Sequence, residues 1–237
     1  TNTRSVVREL DQSIQLTEVV GVVTQAHLLP LIAEAGASLP LVIVSAGDVE
    51  EGGSVSPHTF ESSASHQKRL AFNTLLEYAP CNTQRHPDPH CDLRVQFTSG
   101  TTSQPKAVLS THANAVFAAQ QTALGYGLTA DDVCQVFVPL FHTNGLSTLV
   151  TGTLWTGGTV LLQRKFSASH FWALATKYKA TWSCLPGVFF TQALKQYPVP
   201  EHHFRFWITG CSPKDAQHYG VTTRGHWGMT EMITLPI

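Results

Sequence analysis

The sequence predicts an α/β fold with mainly parallel sheets flanked by helices. Short β-rich runs alternate with longer segments of helical character along nearly the whole chain. From residue 133 onward the strand–helix alternation repeats without a break. The 237 residues are 43% hydrophobic and only 13% charged, which is enough apolar material for a substantial core and too little charge for a disordered chain.

Taken in order, residues 19–23 read as a strand, 27–35 as a helix and 41–45 as the next strand. A polar Gly/Ser-rich stretch over 46–66 reads as a loop. A helix is expected over 70–78, followed by a loop, CNTQRHPDPHCD, whose prolines and lack of periodicity exclude regular structure. A strand at 93–98, a loop, a helix at 113–124 and a strand at 133–139 come next. A helix at 146–155 is then followed by strand 159–163, helix 169–178, strand 181–185, helix 188–197 and strand 204–209, with Ser167 or Ser169 as a cap for the helix at 169. Residues 133–163 carry no charge, but Pro139, His142, Asn144 and four glycines interrupt them, so a buried sheet-and-helix region is expected and not a membrane span.

Fifteen Lys and Arg balance sixteen Asp and Glu, so no basic field argues for nucleic acid or an anionic membrane; a small-molecule substrate is the expectation. The five cysteines, Cys81, Cys91, Cys134, Cys184 and Cys211, are odd in number and scattered. That fits a reducing cytoplasm better than a disulfide scaffold. The set Cys81, His86, His90 and Cys91 has atom types that suit zinc, but its spacing matches no standard finger and adjacent ligands would strain a tetrahedral site, so it reads as a solvated loop. A serine-hydrolase reading fails for want of a G-x-S-x-G elbow.

The sharpest chemical feature is Phe97-Thr98-Ser99-Gly100-Thr101-Thr102-Ser103-Gln104-Pro105-Lys106. Hydroxyls, backbone N–H groups and one cation around a glycine are what a polyphosphate needs. Pro105 stands where the G-x-x-x-x-G-K loop has its second glycine, so this is a different phosphate loop. The competing reading is a Ser/Thr-rich surface turn.

TSGTTSQPK resembles the phosphate-binding signature of the adenylate-forming (AMP-binding) superfamily, which includes acyl-CoA synthetases, luciferases and the adenylation domains of peptide synthetases. Pro139-Leu140-Phe141-His142-Thr143-Asn144-Gly145 is similar to that family's segment beside the acyl pocket, and Gly225-His226-Trp227-Gly228-Met229-Thr230-Glu231 to its Gly-Tyr-Gly-Met-Thr-Glu motif. The resemblance implies that the chain is a partial large N-terminal domain of an acyl-CoA synthetase type, spanning residues 1–237, without the family's first hundred residues, its ribose-binding aspartate or its C-terminal lid. Ser103, Asp131-Asp132-Val133, Lys165-Phe166-Ser167-Ala168 and Phe171-Trp172 resemble the carnitine- and crotonobetaine-CoA ligases within it.

What the resemblance implies about roles can be stated by residue. Thr98, Ser99, Gly100, Thr101, Thr102 and Lys106 would hold the β- and γ-phosphates of ATP. Thr230 would hydrogen-bond the α-phosphate and Glu231 would hold Mg²⁺. Gly210, Cys211 and Ser212 would line the adenine with Trp227, Gly228 and Met229, Trp227 replacing the usual tyrosine. His142 would lie between nucleotide and acyl sites, and the catalytic set would be Lys106, His142, Thr230 and Glu231. The implied reaction is ATP-dependent activation of a small carboxylic acid to an acyl-adenylate, with CoA as acceptor, although this chain alone is expected to turn over little. The alternatives are a nucleotide-binding homologue without turnover and a structural protein on the same fold. Ala107 stands where the signature has glycine, which would strain the loop if that position required positive φ. The 210–225 region is shorter than the family's.

Overall fold

The computed structural model describes residues 5–35, 39–45, 68–80, 88–98, 105–209 and 211–232. The chain divides into two compact units, Thr1–His86 and Pro87–Ile237.

The first unit carries helix α1 (Val7–Thr17), strand β1 (Gly21–Gln25), helix α2 (Leu29–Ala35), strand β2 (Leu41–Ser45) and strand β3 (Lys68–Ala71). All pairings in its three-stranded sheet, β1-β2-β3, are parallel. The sequence reading names no element before residue 19. Yet Val7, Leu10 and Ile14 lie at helical spacing and pack with Ile32, Ala35 and Val42, and a left-handed Glu18 (φ 49°) ends the helix. That turn delays β1 to Gly21, where a Cβ would press on the Leu41 carbonyl oxygen at 3.1 Å.

The helix expected over 70–78 is a correction. Lys68–Ala71 instead forms β3, with Leu70 opposite Ile43, and Phe72–Glu77 is a 3₁₀ segment. Phe72, Leu75 and Leu76 stand at i, i+3, i+4 and suit a helical stripe, but pairing of residues 68–71 with β2, extended by the Lys68 N–H bond to the Pro40 carbonyl (2.8 Å), overrides local preference. Residues 46–66 lie outside the described residues.

The second unit opens with an antiparallel hairpin, β4 (Asp92–Phe97) and β5 (Ala107–Thr111), in which Phe97 faces Ala107. Helix α3 (His112–Tyr126) follows at once. Thr111 caps it by accepting the Asn114 N–H (3.2 Å), Asn114 Oδ1 accepts the Thr111 N–H (3.0 Å), and Gly127 in the left-handed region ends it (φ 61°). The rest is a parallel five-stranded sheet built from β6 (Val133–Val136), a π-helical stretch (Asn144–Thr151) running into α4 (Gly152–Trp155), β7 (Thr159–Leu162), α5 (Ala168–Lys177), β8 (Trp182–Leu185), α6 (Val188–Leu194), β9 (Phe206–Thr209), α7 (Pro213–Tyr219) and β10 (Thr222–Arg224). Its order is β10-β9-β8-β6-β7. Ser167 occupies the N-cap position of α5, but its hydroxyl meets His170 Nδ1 at 2.9 Å and caps no backbone N–H.

The core of this unit is aromatic, with Tyr126, Phe171, Trp172, Trp182, Phe204, Phe206, Trp207 and Tyr219 packed around the sheet. Two thiols, Cys134 on β6 and Cys184 on β8, lie within it. Burial pushes both thiol pKa values up, that of Cys184 to about 12. Where the strands begin, Asp132 is almost fully buried (2% exposed). It accepts two hydrogen bonds of 2.7 Å from Arg205 Nη2, one of 2.6 Å from Thr181 Oγ1 and one of 2.8 Å from the Thr129 N–H. Burial alone would raise the Asp132 pKa, but the bonds from Arg205, Thr181 and Thr129 outweigh it and hold the carboxyl below its ordinary value. Among the described residues no helix is long and apolar enough to cross a membrane.

Candidate active site

Because the five strands are parallel, the segment after each emerges at one end of the sheet. Residues 137–145 follow β6, 211–212 lie beyond β9, and 225–231 follow β10. The chain runs from β6 outward to β7, then returns to β8 on the other side of β6 and continues outward to β9 and β10. That reversal makes the ends of β6 and β8 a topological switch point, where open α/β sheets form their ligand crevice. The second and third motifs therefore share the end of the sheet at which ligands bind in such folds.

The first motif belongs to the β4–β5 hairpin. Its neck is closed by the Thr98 N–H donating to the Lys106 carbonyl (3.0 Å) and the Lys106 N–H donating to Thr98 Oγ1 (3.0 Å). Lys106 is exposed, while Ser99, Gly100, Thr101 and Thr102 lie outside the described residues, as do Ser103 and Gly210. Ala107 sits inside β5 opposite Phe97, and the described non-glycine residues with positive φ are Glu18 and Lys179. The strain expected at Ala107 is therefore absent.

Two side chains tie the hairpin to the second motif, and sequence reading missed both. Gln96 Nε2 donates to the Phe141 carbonyl at 3.4 Å, and Arg94 Nη2 donates to the Ser147 hydroxyl. They alternate on β4 and so share one face, while Leu93 and Val95 on the other face are exposed. Burial lowers the Arg94 pKa. Polar residues at alternate positions of the strand before the hydroxyl loop, facing inward against the usual pattern, are the signal that could have found them.

His142 is exposed, with its ring 4.5 Å from that of Phe141. Its segment turns tightly: the His142 N–H bonds the Pro139 carbonyl (3.2 Å) and the Leu146 N–H the His142 carbonyl (3.2 Å). A Cβ on Gly145 would collide with the Pro139 carbonyl, its carbon 2.9 Å away, so glycine is required there.

At the ends of β9 and β10, Cys211 is buried and the Ser212 hydroxyl accepts the Asp215 N–H (3.1 Å), capping α7. Asp215 is paired with Lys195 at 2.6 Å, and that contact lowers its pKa. α7 spans two turns and still returns the chain to a parallel β10, so the short 210–225 segment keeps the crossover. Beyond β10, Trp227 and Met229 are exposed, Thr230 is half-buried, and Glu231 is exposed on a 3₁₀ turn (Thr230–Met232).

Of the zinc-type set, His90 and Cys91 are exposed and Cys81 and His86 lie outside the described residues; the described residues hold no group of three metal-type ligands. A groove of about 550 Å³ lined by Trp172, Thr176, Tyr197 and Pro198 lies along α5, away from all three motifs.

The profile of the AMP-binding enzyme family matches residues 1–235. The chain belongs to that family. A crotonobetaine/carnitine–CoA ligase of Salmonella paratyphi A is 37% identical over 149 residues, 59% of this chain and 29% of that protein. Another, from Salmonella paratyphi B, is 34% identical over 177 residues, 70% of this chain and 33% of its own length. Among solved structures, ATP-bound MatB from Rhodopseudomonas palustris superposes on 99% of this chain and 45% of its own with a TM-score of 0.76 at 21% identity. A benzoate CoA ligase from Burkholderia xenovorans LB400 gives 0.76 at 18% identity, over 99% of this chain and 46% of its own. The chain thus has the fold of these ligases and spans about a third of the length of the curated relatives, or about half that of the solved ones.

Proposed function

We propose that this chain is the nucleotide- and carboxylate-binding part of an acid–thiol ligase, and that its two units are parts of one AMP-binding domain. A carboxylate oxygen attacks the α-phosphorus of ATP, the bond to the β-phosphate oxygen breaks, and pyrophosphate leaves. CoA sulfur then takes the acyl group and AMP departs. The observation that carries this reading is the position of the 137–145, 211–212 and 225–231 segments at one end of a parallel sheet with a switch point between β6 and β8, where ligands of open α/β folds bind.

In this reading the hydroxyl-rich run between Thr98 and Lys106 in the sequence takes the β- and γ-phosphates, and the Lys106 ammonium offsets the charge of departing pyrophosphate. His142 stands between nucleotide and acid. Gly210, Cys211, Ser212 and Trp227 to Met229 surround the base, and Thr230 holds the α-phosphate. Catalysis is positioning and charge stabilisation. Glu231, an exposed carboxylate, would be the hard oxygen donor that holds Mg²⁺, and the ion would supply further charge neutralisation when bound. The acid is a small molecule.

Thermal unfolding with and without Mg·ATP tests the reading. A ligand at about a hundred times its Kd adds about 2.7 kcal/mol of stability, so the wild-type midpoint should rise and that of Lys106→Ala should barely move. An unmoved wild-type midpoint refutes it.

A further inference from the structure

The chain beyond β10 is held down by side chains from its own face. Arg224 and His226 are two residues apart in an extended segment, and both reach the last turn of α3. Arg224 Nη1 donates to the Gly125 carbonyl at 3.2 Å, and its guanidinium lies 5.1 Å over the Phe206 ring. His226 Nδ1 meets the Tyr126 hydroxyl at 3.3 Å. Tyr126 is fixed in the core: it is 1% exposed, stacks on Phe206 at 5.5 Å and lies against Trp182 at 6.1 Å. The other imidazole nitrogen, Nε2, lies by the following turn, 3.7 Å from where a Cβ on Gly228 would be. The ring thus fills the space between a core tyrosine and the backbone at residue 228. Directly after the second of these anchors Trp227 is left 57% exposed.

We propose that Tyr126 and His226 form a positioning pair that holds the 226–228 turn against α3, so that the Trp227 indole stands ready as a stacking surface for a purine base. This rests on the reading above that the 225–231 segment faces the nucleotide. An exposed indole contributes most to base binding when its orientation is set before the ligand arrives. Burial keeps the His226 pKa below that of a free imidazole, and burial raises that of Tyr126 to about 12. The contact is therefore between a neutral imidazole and a protonated phenol at neutral pH, and it adds no positive charge beside Arg224. Neither Tyr126 nor His226 touches the base; both act through Trp227.

The test compares Mg·ATP with Mg·tripolyphosphate, which carries phosphates and no base, by calorimetric titration of the full chain. Tyr126→Phe and His226→Ala should each weaken ATP binding about threefold to tenfold, the scale of one hydrogen bond, and leave tripolyphosphate binding unchanged. His226→Asn, whose amide oxygen can stand in for Nδ1, should recover most of the loss. In a Trp227→Ala background the Tyr126→Phe change should cost nothing further, because the pair acts through that indole. Equal weakening of both ligands would mean a general loosening of the turn, and unchanged ATP binding in both variants would mean the pair positions nothing. Either result overturns this inference and leaves the ligase reading standing. If the wild-type chain binds neither ligand, the ligase reading fails and this inference falls with it.

Discussion

The two ends of the five-stranded sheet are built on opposite plans. Where the strands begin, Asp132, Thr181 and Arg205, the residues just before β6, β8 and β9, close on one another in a buried carboxylate cluster. Where the strands finish, His142, Trp227, Met229 and Glu231 stand exposed. The first end fixes strand order and register by giving the buried Asp132 carboxylate partners from Thr129, Thr181 and Arg205. Because the strand starts are held there, these four side chains at the other end are not needed for packing, although Phe137 and Val138 beside them join the core.

The largest expected effect is at the first end. Arg205→Met leaves Asp132 buried without its cation and should cost about 3 kcal/mol in urea unfolding. ATP affinity of the folded fraction should be unchanged, and a loss of stability below about 0.5 kcal/mol would break the contrast. Gly145→Ala should come next at about 2 kcal/mol, because the new Cβ meets a carbonyl that cannot move without displacing the His142 turn. Unlike Arg205→Met, it should also disturb the His142 turn, read as weaker carboxylate binding in calorimetric titration. Trp227→Ala should change stability by less than about 0.5 kcal/mol while lowering ATP affinity. A large stability loss there would mean the indole is packing after all.

The smallest effect is on pH dependence. The folded pKa of Asp132 is depressed below 3.8, so its contribution is fully present above that value and is lost as pH falls through the lower folded value. Asp215, held down by Lys195, acts in the same direction. Urea midpoints should therefore decline below pH 3.8, and Arg205→Met should flatten that decline.

Much of this fold is legible in the sequence because short β-branched and aromatic runs alternate with helical segments from residue 133 onward. Other elements were hidden for physical reasons. β10 is three residues, Thr-Thr-Arg, and exists only because β9 offers it an edge. β5, Ala-Val-Leu-Ser-Thr, is five residues that run directly into α3, with its last residue, Thr111, serving as the helix cap. Phe72, Leu75 and Leu76 follow a helical stripe, but pairing with β2 takes residues 68–71 and leaves only a 3₁₀ segment behind them. At the site, Thr98, Lys106, His142 and Glu231 were legible as motif positions. The ties that position the segments, Gln96 to Phe141 and Tyr126 to His226, join residues 45 and 100 apart, and no local pattern encodes them. The acyl group is equally illegible, because a pocket's shape depends on packing between elements.

The two buried thiols on its strands give the sheet a built-in clock. Cys134 and Cys184 lie on β6 and β8, 0% and 3% exposed, with the thiolate form strongly disfavoured by burial, whereas Cys91 is exposed at the base of the hairpin. An alkylating reagent should modify Cys91 at once and reach the other two only when the sheet opens. The rate of that slow labelling, followed by mass spectrometry, reports how often the native chain exposes its interior, without any denaturant.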